Sequence, residues 1–119
     1  MDGDAVRLRR DERGVATLTM CRPAARNAFD ESLVAQLTTA GEALAADEAV
    51  RVVVLTGSGG AFSAGADLAW MRSMGDRSQD DNIAGARRVD RMLRVLYDLP
   101  KPLVGRVNGA ALGLSLIHI

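Results

Sequence analysis

The chain is poor in aromatic side chains: among 119 residues there are two Phe, one Trp and one Tyr. Its core must therefore be packed from Val, Leu, Ala and Met. A single cysteine, Cys21, excludes an internal disulfide, and a reducing, cytoplasmic setting is expected. There is one histidine, His118, and no His/Cys cluster has metal-ligand spacing. No apolar run reaches the roughly 18 residues of a membrane span. Neither sign of charge dominates, since 15 Lys and Arg balance 15 Asp and Glu. That balance argues against broad attraction to nucleic acid or to a membrane surface. Met1-Asp2-Gly3-Asp4 is acidic and lacks the apolar core of a signal peptide.

What remains is the composition of a folded chain. An apolar fraction of 48% suits a globular core, and the length suits one modest domain. Ala5 to Arg10 alternates, with Val6 and Leu8 on one face, as an edge strand does. Asp11-Glu12-Arg13-Gly14 is a turn, and Val15 to Met20 alternates again, so the pair reads as a hairpin. Pro23 ends it. Asp30 is placed to cap a helix whose apolar stripe is Leu33, Val34, Leu37, Gly41 and Leu44. Arg51 to Thr56 is β-branched and continuous, the pattern of a strand buried on both faces. A helix is expected from Asp67 to Met74, with Leu68 and Met71 on one side, then a polar break from Gly75 to Asp81. A second helix from Ile83 to Leu99 turns Val89, Met92, Leu93 and Leu96 inward, and Pro100 and Pro102 stop it. Leu103 to Val107 is a short strand that Asn108-Gly109 turns. Long helical crossovers between apolar strands imply parallel pairing and an α/β fold.

The most informative stretch is Gly59-Gly60-Ala61-Phe62-Ser63-Ala64-Gly65-Ala66-Asp67-Leu68, between a strand and a helix. Small residues there let a ligand approach bare backbone, whose N–H groups can face a developing negative charge. Gly57 to Gly60 alone is equally consistent with an ordinary glycine-rich turn. Together with Asn108-Gly109-Ala110-Ala111-Leu112-Gly113, however, the stretch resembles the enoyl-CoA hydratase/isomerase (crotonase) family. Arg22-Pro23-Ala24-Ala25-Arg26-Asn27-Ala28-Phe29 is similar to a third motif of that family. The resemblance implies a crotonase-like ββα superhelix, here limited to its first turns, with residues 1–113 as the N-terminal part of the domain. The family pattern continues with a glycine run where this chain reads Leu114-Ser115-Leu116-Ile117-His118-Ile119. Native sequence is therefore expected to end at Gly113, with 114–119 an anomalous tail.

The resemblance also implies a chemistry. Adding water across an α,β-unsaturated thioester puts negative charge on its oxygen, and two backbone donors stabilise the enolate. By alignment these donors fall at Ala66 and Leu114. CoA and substrate contacts fall at Arg26, Ala28, Ala64, Gly65, Asp67, Leu68 and Gly113. Arginine suits anion recognition, although Arg22 and Arg26 also read as solvated loop charges. Asp67 reads as a helix cap or an acid, with capping favoured. The family's two glutamates would fall close to Ile117 and beyond the chain, so this chain is expected to lack the acid–base pair. Asp67-Leu68-Ala69-Trp70-Met71 is similar to the methylglutaconyl-CoA and isohexenylglutaconyl-CoA hydratase branch, although Trp70, Met71 and Met74 read equally well as helix packing. Arg72, Arg77, Arg87 and Arg88 read as a solvated helix face, and Cys21 as a packed thiol. The implied activity is hydration of a 2-enoyl-CoA, with no metal and no cofactor beyond the CoA of the substrate, in a parent that forms trimers or hexamers. The alternatives are an enoyl-CoA isomerase and a non-catalytic, RNA-binding module.

Overall fold

Alternation builds the first hairpin. Strands β1 (Val6–Arg10) and β2 (Val15–Met20) pair antiparallel, with Leu8 opposite Leu18. Ala16, Leu18 and Met20 point into the core, and β1 forms one edge of the sheet. The computed structural model describes residues 4–112. After a 3-10 turn at Pro23–Ala25 the chain enters α1 (Glu31–Ala46) and returns in β3 (Val52–Gly57), which lies parallel to β2. A short strand β4 (Ala61–Ser63) precedes α2 (Leu68–Gly75) and α3 (Gln79–Tyr97). Strand β5 (Leu103–Arg106) joins β3 in parallel, and β6 (Ala110–Ala111) pairs in parallel with β4. The main sheet runs β1-β2-β3-β5, and β4-β6 form a separate two-stranded sheet.

The core sits where α1 and α3 cover one face of the main sheet. Asp30 caps α1 by accepting from the Leu33 N–H at 2.9 Å. The residues that α1 buries are Leu33, Val34, Leu37, Gly41 and Leu44, the stripe expected from helical spacing. At the other end, the Lys101 ammonium donates to the Leu44 and Asp47 carbonyls at 2.7 and 2.8 Å, closing the helix C-terminus.

Four expectations are corrected. β3 is fully buried along one face, through Val53 and Leu55; on the other face Val52 and Val54 are half-buried, because the described helices lie on the opposite side, and only Thr56, whose hydroxyl donates to the Arg106 carbonyl, is covered. Ala61–Ser63, expected within a turn, is a strand because β6 supplies its ladder partners. In α2, Leu68 and Met71 are exposed and Trp70 is buried, with Met74 partly covered one turn later. Capping by Asp67 sets that helical phase, so the i, i+4 pair Trp70 and Met74 faces the core. Finally, α3 starts in the supposed polar break, because the Ser78 hydroxyl accepts from the Asp81 N–H at 3.1 Å. Asp80 and Asp81 then suit the positive end of the helix.

Candidate active site

Two loops lie side by side as a parallel ribbon. The Ala64 N–H donates to the Arg26 carbonyl at 3.0 Å, the Phe29 N–H to Gly65 at 2.7 Å, and the Asp67 N–H to Phe29 at 2.8 Å. Phe29 and Ala66 thus form an isolated parallel bridge. In such a bridge Phe29 bonds the residues on either side of Ala66, so the amide groups of Ala66 itself point the other way. Among the described residues the Ala66 N–H has no hydrogen-bond acceptor. Gly65, at φ 85°, makes the turn that delivers it.

Buried polar side chains hold the ribbon. Asn27 is fully buried and left-handed at φ 57°, a conformation that asparagine tolerates. Its Oδ1 accepts from the Arg22 N–H at 2.8 Å, and its Nδ2 donates to the Ser58 and Ala61 carbonyls, both at 2.9 Å. The Ser63 hydroxyl donates to the Asn27 carbonyl at 2.9 Å and accepts from the Gly65 N–H at 3.2 Å. Asn108 reaches the same loop from the far end of the chain. Its Oδ1 accepts from Gly57 N–H at 3.1 Å, and its Nδ2 donates to Gly59 at 3.0 Å and Ala61 at 3.2 Å. At Gly109 there is no room for a side chain, because a Cβ would collide with the Gly60 carbonyl. β6 then runs beside β4, and the Leu112 N–H donates to the Ser63 carbonyl at 3.0 Å.

An ionic cluster lies behind the ribbon. The Arg22 guanidinium sits 3.2 Å from Asp67 and 3.3 Å from Asp30, and its Nη1 donates to the Ala28 carbonyl. Asp67 caps α2 by accepting from the Trp70 N–H at 3.0 Å. That bond, and after it the Arg22 guanidinium, holds the Asp67 carboxyl below its ordinary range, against the opposing pull of burial. Arg22, read from the sequence as a solvated loop charge, is instead mostly buried and paired with Asp30 and Asp67.

The structure brings Arg26, Ala28, Ala64, Gly65, Ala66 and Asp67 into this one ribbon. Arg26 is exposed, Ala28 is buried, and Leu68 faces solvent at the start of α2. Gly113 and Leu114 lie outside the described residues. A cavity of about 550 Å³ opens on the Arg22, Asp67 and Trp70 side, and one of about 660 Å³ lies at the end of α3 beside Leu103. Ala66 lines neither. The main-chain donor, rather than either concavity, is the feature suited to an oxyanion. Among the described residues no group of His, Cys, Asp and Glu could hold a metal ion, and no helix is long and apolar enough to cross a membrane. Sequence reasoning missed the clamping roles of Asn27, Ser63 and Asn108. The signal lay in the motifs themselves, which place two asparagines in small-residue loops: Asn27 is buried, where only a partnered amide survives, and the exposed Asn108 bonds the same loop from outside.

Against known proteins, the sequence model of the enoyl-CoA hydratase/isomerase family matches residues 10–115. The chain belongs to the enoyl-CoA hydratase/isomerase family. It is 39% identical over 99 residues to the 2,3-dehydroadipyl-CoA hydratase of Escherichia coli, covering 83% of this chain and 37% of that protein. It is 36% identical over 109 residues to the 1,2-epoxyphenylacetyl-CoA isomerase of the same organism, covering 86% and 39%. Among solved structures, an enoyl-CoA hydratase from Shewanella pealeana superposes with a TM-score of 0.91 at 32% identity, over 97% of this chain and 43% of that one. One from Mycobacterium smegmatis gives 0.81 at 43% identity, over 87% and 39%. The fold is therefore the crotonase fold of this family, and the chain spans about two fifths of the length of the curated relatives it matches.

Proposed function

We propose that the chain is the acyl-CoA-binding part of an enoyl-CoA hydratase, with the Ala66 N–H as a main-chain donor to the thioester oxygen. One observation carries this reading: β4 and β6 join two motifs distant in the chain, while the Ala66 N–H is left without an acceptor among the described residues. A donor held by its neighbours before substrate arrives needs no reorganisation when charge develops, and one such donor contributes about 2.7–4 kcal/mol to an enolate-like transition state. The second donor of this reading is Leu114. The Leu112 N–H, bonded to Ser63, brings the chain beside the Ala64–Ala66 turn two residues before it.

Water addition also needs carboxylates near the alkene. Asp30 and Asp67, the acids beside the ribbon, are both committed to helix caps and to Arg22. This chain by itself therefore binds a thioester weakly and does not hydrate it. An isomerase reading shares the oxyanion site and is favoured by the 36% identity to the 1,2-epoxyphenylacetyl-CoA isomerase. The methylglutaconyl-CoA or isohexenylglutaconyl-CoA branch is a narrower proposal. Exposed Leu68 and Met71 are available to an acyl chain, whereas Trp70 is spent on packing. A cytoplasmic setting and a trimeric or hexameric parent belong to the same proposal. Calorimetry with a 2-enoyl-CoA and with free CoA tests it, alongside loss of the enoyl-thioester absorbance. Weak binding with an unchanged absorbance is expected. No binding of either ligand sinks the CoA reading, and substantial hydration sinks the account of the missing acids.

A further inference from the structure

We infer that Arg22 is the positioning residue of the Ala66 turn: one guanidinium ties the caps of two helices to the strip between them and so sets the direction of the Ala66 N–H. Its geometry stands by itself; its consequence for a thioester rests on the function proposed above. Three acceptors converge on this side chain. The Asp30 carboxylate caps α1, the Asp67 carboxylate caps α2, and the Ala28 carbonyl belongs to the strand that bridges Ala66. Phe29 lies between Ala28 and Asp30, and Ala66 immediately precedes Asp67, so the bridge is flanked on both of its strands by groups that Arg22 holds. The Arg22 main chain is fixed in turn by Asn27 Oδ1.

Burial separates this cluster from the surface ion pairs. The side chains of Arg22, Asp30 and Asp67 are 23%, 28% and 15% exposed, against 75% and 61% for Arg94 and Asp90. Exposed pairs contribute little, whereas a mostly buried one constrains its neighbours. The guanidinium spreads its donors over two nitrogens, Nη1 on the Ala28 carbonyl and Nη2 between the two carboxylates, whereas a lysine would bring a single compact ammonium. The charge matters as well as the geometry. The Asp67 carboxylate lies one residue from the donor, and uncompensated it would oppose negative charge building nearby. Arg22 cancels that field while leaving the donor free.

The test compares the chain with its Arg22→Lys, Arg22→Ala and Asp67→Asn variants, and with Arg94→Ala as a surface control. Asp67→Asn keeps an acceptor for the Trp70 N–H and removes the ion pair, so it remains informative where Arg22→Ala fails to fold. Amide hydrogen exchange reads the bridge directly. In Arg22→Lys and Asp67→Asn, protection at Phe29 and Asp67 should fall at least about tenfold, with Leu55 unchanged. Unchanged protection at Phe29 and Asp67, or an equal loss at Leu55, overturns the inference, the latter because it marks a general stabilising role. The second arm uses cinnamoyl-CoA, whose absorbance shifts to longer wavelength when its carbonyl is polarised. The shift should shrink in both variants, while in Arg22→Lys free-CoA affinity stays within about twofold of the parent chain. An undiminished shift on the variants overturns the positioning role. Failure of the parent chain to bind cinnamoyl-CoA counts against the proposed function alone, and the exchange arm then decides Arg22.

Discussion

At the scale of single residues, Asp67 shows how one carboxylate can be mistaken for an acid. It accepts from the Trp70 N–H and pairs with Arg22, so its proton affinity is lowered in the fold. A lowered folded pKa means that its charged form contributes stability above the ordinary value of 3.8. That contribution is lost as pH falls through the lower folded value. Acid unfolding followed by circular dichroism should therefore be shallower in Asp67→Asn than in the parent chain as pH falls from 3.8 toward the lower folded value, and identical slopes there would contradict the assignment. The capping role was legible in the sequence, because an Asp before an apolar helical stretch is a start signal. The Arg22 partnership was not, because it joins positions 45 residues apart in the chain.

At the scale of elements, the short pair β4-β6 decides whether the two loop motifs meet. It can form only if Gly109 stays bare against Gly60, since a Cβ there would overlap the carbonyl oxygen. Gly109→Ala should push β6 off β4, expose the Ser63 carbonyl and abolish thioester binding, while the α1 and α3 helices keep their circular dichroism. Retained binding would show that the pairing is dispensable. Local patterning was enough for β1, β2, β3, α1 and the later half of α3, whose apolar periodicities are long. It failed for Ala61–Ser63, three residues whose strand character depends on a partner in a distant segment. It also misjudged which side of α2 is buried, because eight residues carry barely two turns of periodicity.

At the scale of the whole molecule, one hydrophobic cluster joins the sheet to α1 and α3. Leu37 is fully buried at its centre, and Leu37→Ala should cost about 2–5 kcal/mol in urea unfolding with an unchanged m value. A cost under about 1 kcal/mol would mean that α1 is not part of one cooperative core. That core supports the ribbon from below: Phe29 and Phe62, both fully buried, anchor the two loops that bear the site. Both phenylalanines of the chain are thus placed where rigidity serves the turn.

From the amino-acid order alone came the α/β class, the parallel crossovers, the Asp30 and Asp67 helix caps and the motifs that mark the family. All of these are local: hydrophobic period, cap residues and small-residue runs act within a few positions of themselves. Tertiary structure decided that β4 and β6 pair, that two asparagines clamp one loop, and that Arg22 faces inward rather than toward a ligand. It also decided that the Ala66 N–H stays without an internal acceptor among the described residues, since a donor is left free only by where every neighbouring acceptor has been spent.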